Sequence, residues 1–183
     1  MAAGAAGERR RRLHEAEAEG LGTLLQALPS VPKLHLAVVG NGQHIATFRR
    51  QAEQLQMANR VHFLGSLPDV TPVYCAADLL VHPTTEDTYA MVVLEAMAHG
   101  LPAIVSSAPY CGIAAELTHE QQALVLQDPR DAQALAGLLK RLLASPPLQE
   151  QLRAAGRHFA GERSWQAVAE QHEALLLQIA HDL

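Results

Sequence analysis

Short apolar runs recur along this chain between glycine, proline and polar turns. Leu34–Val39, Val61–Leu64, Leu79–His82, Ala103–Val105 and Ala123–Leu126 are too short for helices and are bounded by turn residues. Such unbroken runs predict strands of a parallel sheet buried on both faces. Longer segments with helical spacing fall among them: Leu21–Leu28, His44–Met57, Asp69–Ala76 and Tyr89–Ala98. Three more close the chain, Ala132–Leu143, Leu148–Phe159 and Trp165–Ile179, with Asp131 and Ser164 as N-caps and Pro146-Pro147 dividing the first two. Strands alternating with crossover helices predict an α/β fold, a Rossmann-like doubly wound parallel sheet of about five strands.

The chain is organised around Leu79–Val105, which reads strand, polar turn, helix, glycine, strand. Pro83 and Thr84–Asp87 precede the helix, and Gly100 and Pro102 end it. In a doubly wound sheet, ligands sit at the carboxyl ends of strands beside helix N-termini, which places the site at Pro83–Met91. The first N–H groups of a helix starting near Thr88 lack intrahelical partners and carry the positive end of the dipole, so a phosphate suits them. Asp87 stands at that mouth, either as an N-cap or as an acceptor for hydroxyls. Glu95 is the only charged residue between Thr88 and Ala98. Eight helical residues separate the two carboxylates by roughly 12 Å. They cannot share a proton or a metal ion at that distance, but they suit the two hydroxylated ends of a ligand whose middle is a diphosphate. Glu95 has a structural alternative, a helix carboxylate paired with backbone or histidine.

Gly40-Asn41-Gly42 follows the strand Leu34–Val39 and could bring backbone N–H groups near the same ligand. The dinucleotide pattern G-x-G-x-x-G is absent, and a plain tight turn explains these glycines equally well. His82 at a strand end reads as an orienting group for phosphate or as a satisfied histidine near the core.

Composition narrows the classes. The formal charge of −5 argues against nucleic acid, whose binders present a basic face. No apolar run reaches the roughly 18 residues of a membrane span. Cys75 and Cys111 lack metal-type spacing, and reduced thiols in a cytoplasmic protein are the expectation. Ten histidines without i, i+4 pairs argue against zinc. Met1–Gly7 and the run Arg9–Arg12 read as a solvated tail or an anion-attracted arm.

Here the residues resemble a known family. Pro83, three residues, Asp87, seven residues, Glu95, within Met91-Val92-Val93-Leu94-Glu95-Ala96-Met97-Ala98-His99-Gly100-Leu101-Pro102, is similar to the donor-binding motif of the family-four retaining glycosyltransferases, which have the GT-B fold. The resemblance runs from about Gly20 to the C-terminus. Within the family, Tyr110-Cys111-Gly112-Ile113-Ala114, Ser145-Pro146 and Arg157-His158-Phe159-Ala160 resemble the lipopolysaccharide-core glucosyltransferase that acts on heptose.

That resemblance implies that Glu95 binds the ribose hydroxyls and Asp87 those of the transferred sugar, with both counted as catalytic positions. Thr88, Tyr89, Ala90 and Met91 would hold the diphosphate, Phe63, Leu64 and Gly65 the base, and Gly40 and Gly42 the opening glycine turn. It implies no metal and no cofactor, a nucleotide sugar such as UDP-glucose as donor, and a lipopolysaccharide or other glycan acceptor. The enzyme would be cytoplasmic or peripheral to the inner membrane. Residues 1–19 read as a tail or the remnant of a missing first strand, 20–163 as the nucleotide-sugar domain, and 164–183 as a helix packing toward a missing N-terminal acceptor domain.

The chain departs from the family in four ways. Asp87 stands where the family has glutamate. Thr88 and Ala90 replace glycines. Glu19 occupies the expected lysine position, and the chain reads as the C-terminal half of such an enzyme, without the N-terminal acceptor domain. Two other classes therefore stay open: an inactive interaction module with an apolar edge where the first strand is absent, and a GT-B sugar-nucleotide epimerase.

Overall fold

All five runs form strands, and a sixth joins them. The computed structural model describes residues 11–15 and 18–181. Strands β1 (Arg11–Glu15), β2 (Leu34–Val39), β3 (Val61–Gly65), β4 (Leu79–His82), β5 (Ala103–Ser106) and β6 (Leu124–Leu126) make one sheet in the order β3-β2-β1-β4-β5-β6. Every pairing is parallel. The doubly wound expectation holds.

β1 corrects the reading of residues 1–19. It is neither a tail nor the remnant of a missing strand, because its backbone pairs Leu13 with Leu36 of β2 on one side and with Leu79 of β4 on the other. The sequence hides it because Arg11-Arg12-Leu13-His14-Glu15 is polar where a central parallel strand normally reads apolar. The open apolar edge required by the inactive-module alternative is filled. Met1–Gly7, Arg9 and Arg10 lie outside the described residues, as does the side chain of Glu19.

The strands alternate their side chains between two cores. Leu79 and Val81 of β4 and Ile104 of β5 face a cluster formed with α1 (Ala18–Ala27), α2 (Ile45–Gln54) and α5 (Ala132–Ala144). Leu80, Ala103 and Val105 face a second cluster formed with α3 (Thr71–Ala76), α4 (Met91–Ala98) and α6 (Pro146–Gly161). By the same two-residue period His82 falls on the α4 side. In α1 the stripe Leu21, Leu24, Leu25 follows helical spacing and continues to Leu28, and all four are essentially fully buried. Each such side chain stabilises the fold by about 1.5–3 kcal/mol relative to exposure.

Pro146 and Pro147 do more than divide two helices. They begin α6, where a missing N–H is harmless. The Ser145 hydroxyl accepts from the N–H of Leu148 as N-cap, and Asp131 caps α5 in the same way. Ser164 caps α7 (Trp165–His181) by accepting from Ala167 N–H. α6 also secures the far end of α4: Arg153 donates to the carbonyls of Gly100 at 3.1 Å and Asp78 at 3.3 Å.

Gly20 lets α1 approach the end of β4. A Cβ added there would lie 2.0 Å from the Pro83 carbonyl oxygen. Gly20→Ala should therefore lower stability by about 2–3 kcal/mol through overpacking. Gly137, with nothing within 4 Å of an added Cβ on α5, should gain about 0.5–1 kcal/mol as Gly137→Ala. Urea unfolding midpoints of the two variants check this, and equal midpoints would contradict the close approach at Pro83.

Candidate functional site

The carboxyl ends of β2, β3, β4 and β5 emerge on one side of the sheet, and the chain order reverses between β1 and β4. The loop leaving β4 at this switch point is tightly built. The Ser106 hydroxyl donates to the Thr84 carbonyl at 2.7 Å, and the Thr84 hydroxyl both donates to the Glu86 carbonyl and accepts from Glu86 N–H. Asp87 then pairs with the next loop: its N–H donates to the Tyr110 carbonyl at 2.9 Å, and Gly112 N–H donates to its carbonyl at 3.0 Å. Gly112 is required by close approach, since an added Cβ would lie 1.9 Å from the Thr88 carbonyl oxygen. Cys111 beside it is fully buried and packs in the α4 cluster.

The Asp87 carboxylate is the centre of this turn. Its Oδ1 accepts the N–H of Tyr89 at 3.0 Å and that of Ala90, and its Oδ2 lies 3.2 Å from His82 Nε2. These bonds displace the start of α4 from Thr88 to Met91, with Ala90 in the left-handed region at φ +60°. Alanine tolerates that region at a cost of about 1–2 kcal/mol, and it is where glycine would fit without strain. The even 12 Å spacing of two carboxylates along one helix is thereby corrected. Asp87 lies in a turn ahead of the helix, and about 6 Å of helix separates Met91 from Glu95. The expected anion cradle also shrinks. Tyr89 and Ala90 N–H groups point at Asp87, while Met91 and Val92 begin the helix with N–H groups that lack intrahelical acceptors.

His82 is fully buried. Burial is the larger influence and pushes its pKa below the ordinary histidine value, with the Asp87 charge pulling the other way. As a neutral ring it donates from Nε2 to Asp87, and Nδ1 has no partner among the described residues. A neutral donor behind Asp87 leaves the carboxylate charge to be met by the two turn N–H groups and the helix end.

Glu95 is exposed on α4, and its protein partner is a tyrosine. Tyr74 hydroxyl, from α3, donates to Glu95 Oε2 at 2.8 Å. Burial, followed by that bond, raises the Tyr74 pKa far above its ordinary value, so the hydroxyl remains a donor. Glu95 and Met91 also edge a 440 Å³ cleft against Arg163 and Trp165 at the start of α7.

The remaining predicted positions gather at the ends of β2 and β3. Gly40, at φ +118°, donates its N–H to the carbonyl of Gly65 at 2.8 Å. Gly65 itself sits at φ +72°. The Gly42 carbonyl accepts from Ile45 N–H as α2 begins. Leu64 is exposed, whereas Phe63 is half-buried under the Arg49 guanidinium, 4.6 Å from its ring centroid. This glycine turn is thus closed on the neighbouring strand. Sequence reasoning missed Tyr74, the His82–Asp87 pair and Gly20. Only His82, buried at a strand end five residues before Asp87, carried a signal that could have found its role.

Residues 12–159 match the family described as glycosyl transferases group 1. The chain is 29% identical over 157 residues to the lipopolysaccharide glucosyltransferase WaaG of Escherichia coli, covering 83% of this chain and 41% of that protein. The crystal structure of WaaG superposes with a TM-score of 0.75 over 84% of this chain and 43% of its own. Sucrose-phosphate synthase from Thermosynechococcus elongatus gives 0.80 at 27% identity, over 96% of this chain and 47% of that one. Anabaena HepE, solved with UDP and glucose, shares the fold at 0.81 and 20% identity, over 92% of this chain and 48% of its own. The neighbours are GT-B glycosyltransferases, and this chain spans between two-fifths and half of their length.

The His82 environment has a pH consequence. Unfolded histidine takes up a proton below about pH 6.5, while folded His82, with its lowered pKa, does not. The unfolded state therefore binds more protons as pH falls, and stability drops by up to about 1.4 kcal/mol per pH unit through that window. Denaturation midpoints between pH 8 and 5.5 should fall more steeply for the wild type than for His82→Gln, which keeps a donor for Asp87. Parallel slopes would mean that His82 takes up its proton equally in the folded and unfolded states, and that burial does not hold it neutral.

Proposed function

We propose that this chain, which belongs to the glycosyl transferases group 1 family, holds the nucleotide-sugar donor of a retaining, metal-independent hexosyltransferase. In the whole protein glucose would pass from UDP-glucose to a lipopolysaccharide core or similar glycan. The observation that carries this reading is the arrangement at the β4–α4 junction. A helix mouth with N–H groups aimed outward follows a rigid turn, and one helical turn beyond it Glu95 is exposed with Oε1 making no hydrogen bond among the described residues. An anion at the mouth and a hydroxylated group at Glu95 satisfy both at once.

In this reading the donor diphosphate meets Met91 and Val92 N–H groups, with Thr88, Tyr89 and Ala90 shaping the approach. Glu95 accepts from the ribose hydroxyls. Asp87, held at the mouth by its caps, contacts hydroxyls of the transferred sugar. Leu64 and Gly65 border the base. The likeness to WaaG, a lipopolysaccharide glucosyltransferase, and to HepE, solved with UDP and glucose, supports the donor and acceptor chosen. Catalysis rests on positioning and on stabilising charge on the leaving diphosphate.

The acceptor belongs to a further domain. Trp165, Leu176 and Leu177 of α7 are 83%, 66% and 65% exposed, a large apolar surface, and this is where that domain would pack. No helix among the described residues is long and apolar enough to cross a membrane. The proposed location is cytoplasmic, with the whole enzyme at the inner membrane surface where its lipid-linked acceptor resides.

Calorimetric titration of the purified chain with UDP, ADP and GDP tests the donor claim. UDP should bind with a dissociation constant between about 1 mM and 1 μM, and Glu95→Ala should weaken it at least about tenfold. A folded sample that binds none of the three would sink the donor site, and preference for ADP or GDP would replace the base.

A further inference from the structure

We propose that Tyr74 is a positioning residue for the nucleotide, acting through Glu95 rather than by touching the ligand. The inference rests on the donor reading above and extends it to a residue outside the donor motif. A glutamate on the exposed face of a helix ordinarily samples many rotamers, and ordering it on binding costs conformational entropy. Here one rotamer is held before any ligand arrives. The Tyr74 hydroxyl occupies Oε2 at 2.8 Å, and Oε1 makes no hydrogen bond to the protein among the described residues. A carboxylate fixed by one oxygen presents the other in a defined direction.

Tyr74 is itself immobilised. It is 3% exposed in the α4-side core, and its ring stacks on the His99 ring with centroids 5.0 Å apart and planes 24° from parallel. His99 is in turn tied to α4, its Nδ1 lying 2.8 Å from the carbonyl of Glu95. The chain of contacts closes on itself: the backbone of Glu95 holds His99, His99 braces Tyr74, and Tyr74 holds the side chain of Glu95. A tyrosine needed only for core volume could be phenylalanine. Its hydroxyl reaches the one carboxylate that α4 presents.

The test separates positioning from packing. Tyr74→Phe keeps the ring, its burial and the stack on His99 and deletes only the hydroxyl. The wild type and the variant are each titrated with whichever of UDP, ADP and GDP binds, and then with its 2′,3′-dideoxyribose analogue. Tyr74→Phe should weaken the parent nucleotide about five- to tenfold, leave the dideoxy analogue unchanged, and add nothing on top of Glu95→Ala. Unchanged affinity for the parent nucleotide overturns the proposal, as does an equal loss for parent and analogue, which would mark a packing effect. If the wild type binds a nucleotide and Tyr74→Phe binds it equally, only the role of Tyr74 fails. If the wild type binds none, the donor reading fails and this inference with it.

Discussion

The turn between β4 and α4 is held by one carboxylate. Asp87 accepts two backbone N–H groups ahead of it and a buried imidazole behind it, while its own peptide is bonded on both sides to the loop after β5. This costs desolvation of a charge and a left-handed alanine. What results is a helix mouth whose position is set by hydrogen bonds rather than by solvent-exposed loop contacts, so an anion can be met there with little reorganisation. The two cores contribute unequally to this. The α1, α2 and α5 side supplies most of the large buried aliphatic side chains, while the α3, α4 and α6 side carries Asp87's partner His82, Tyr74 and the base of Glu95.

Most of the sheet was legible because β4 and β5 are buried on every residue and therefore read as unbroken apolar runs. The motif around Glu95 was legible for a related reason: a lone acid in an otherwise apolar helix has few structural explanations. β1 was not legible. Its ladder is made by backbone groups shared with β2 and β4, and a run of arginines gives no sign of them. The start of α4 was misplaced by three residues because local patterning cannot show that Asp87 will draw Tyr89 and Ala90 N–H groups out of the helix. Tyr74 lies twenty-one residues before Glu95, and only the packing of α3 against α4 brings the two together.

The aspartate at position 87, where the resemblance implies glutamate, acquires a physical meaning in this setting. A shorter side chain keeps its oxygens close to its own backbone, where they can cap the following turn. A longer one at the same position would reach past those N–H groups. Thr88 and Ala90 are compatible with a turn that is already fixed by that cap. The mouth of α4 is therefore stiffer than a glycine-rich version and less able to adjust to ligands of different shape.

The pairing of Asp87 with Tyr110 and Gly112, and the absence of room for a Cβ at Gly112 beneath Thr88, make the loops after β4 and β5 a single inheritable unit. Neither can be exchanged alone between relatives without breaking the bonds that shape the other. A chimera that transplants residues 83–90 has to carry residues 107–114 with them, and sequence drift in the second loop is constrained by the turn it is bonded to.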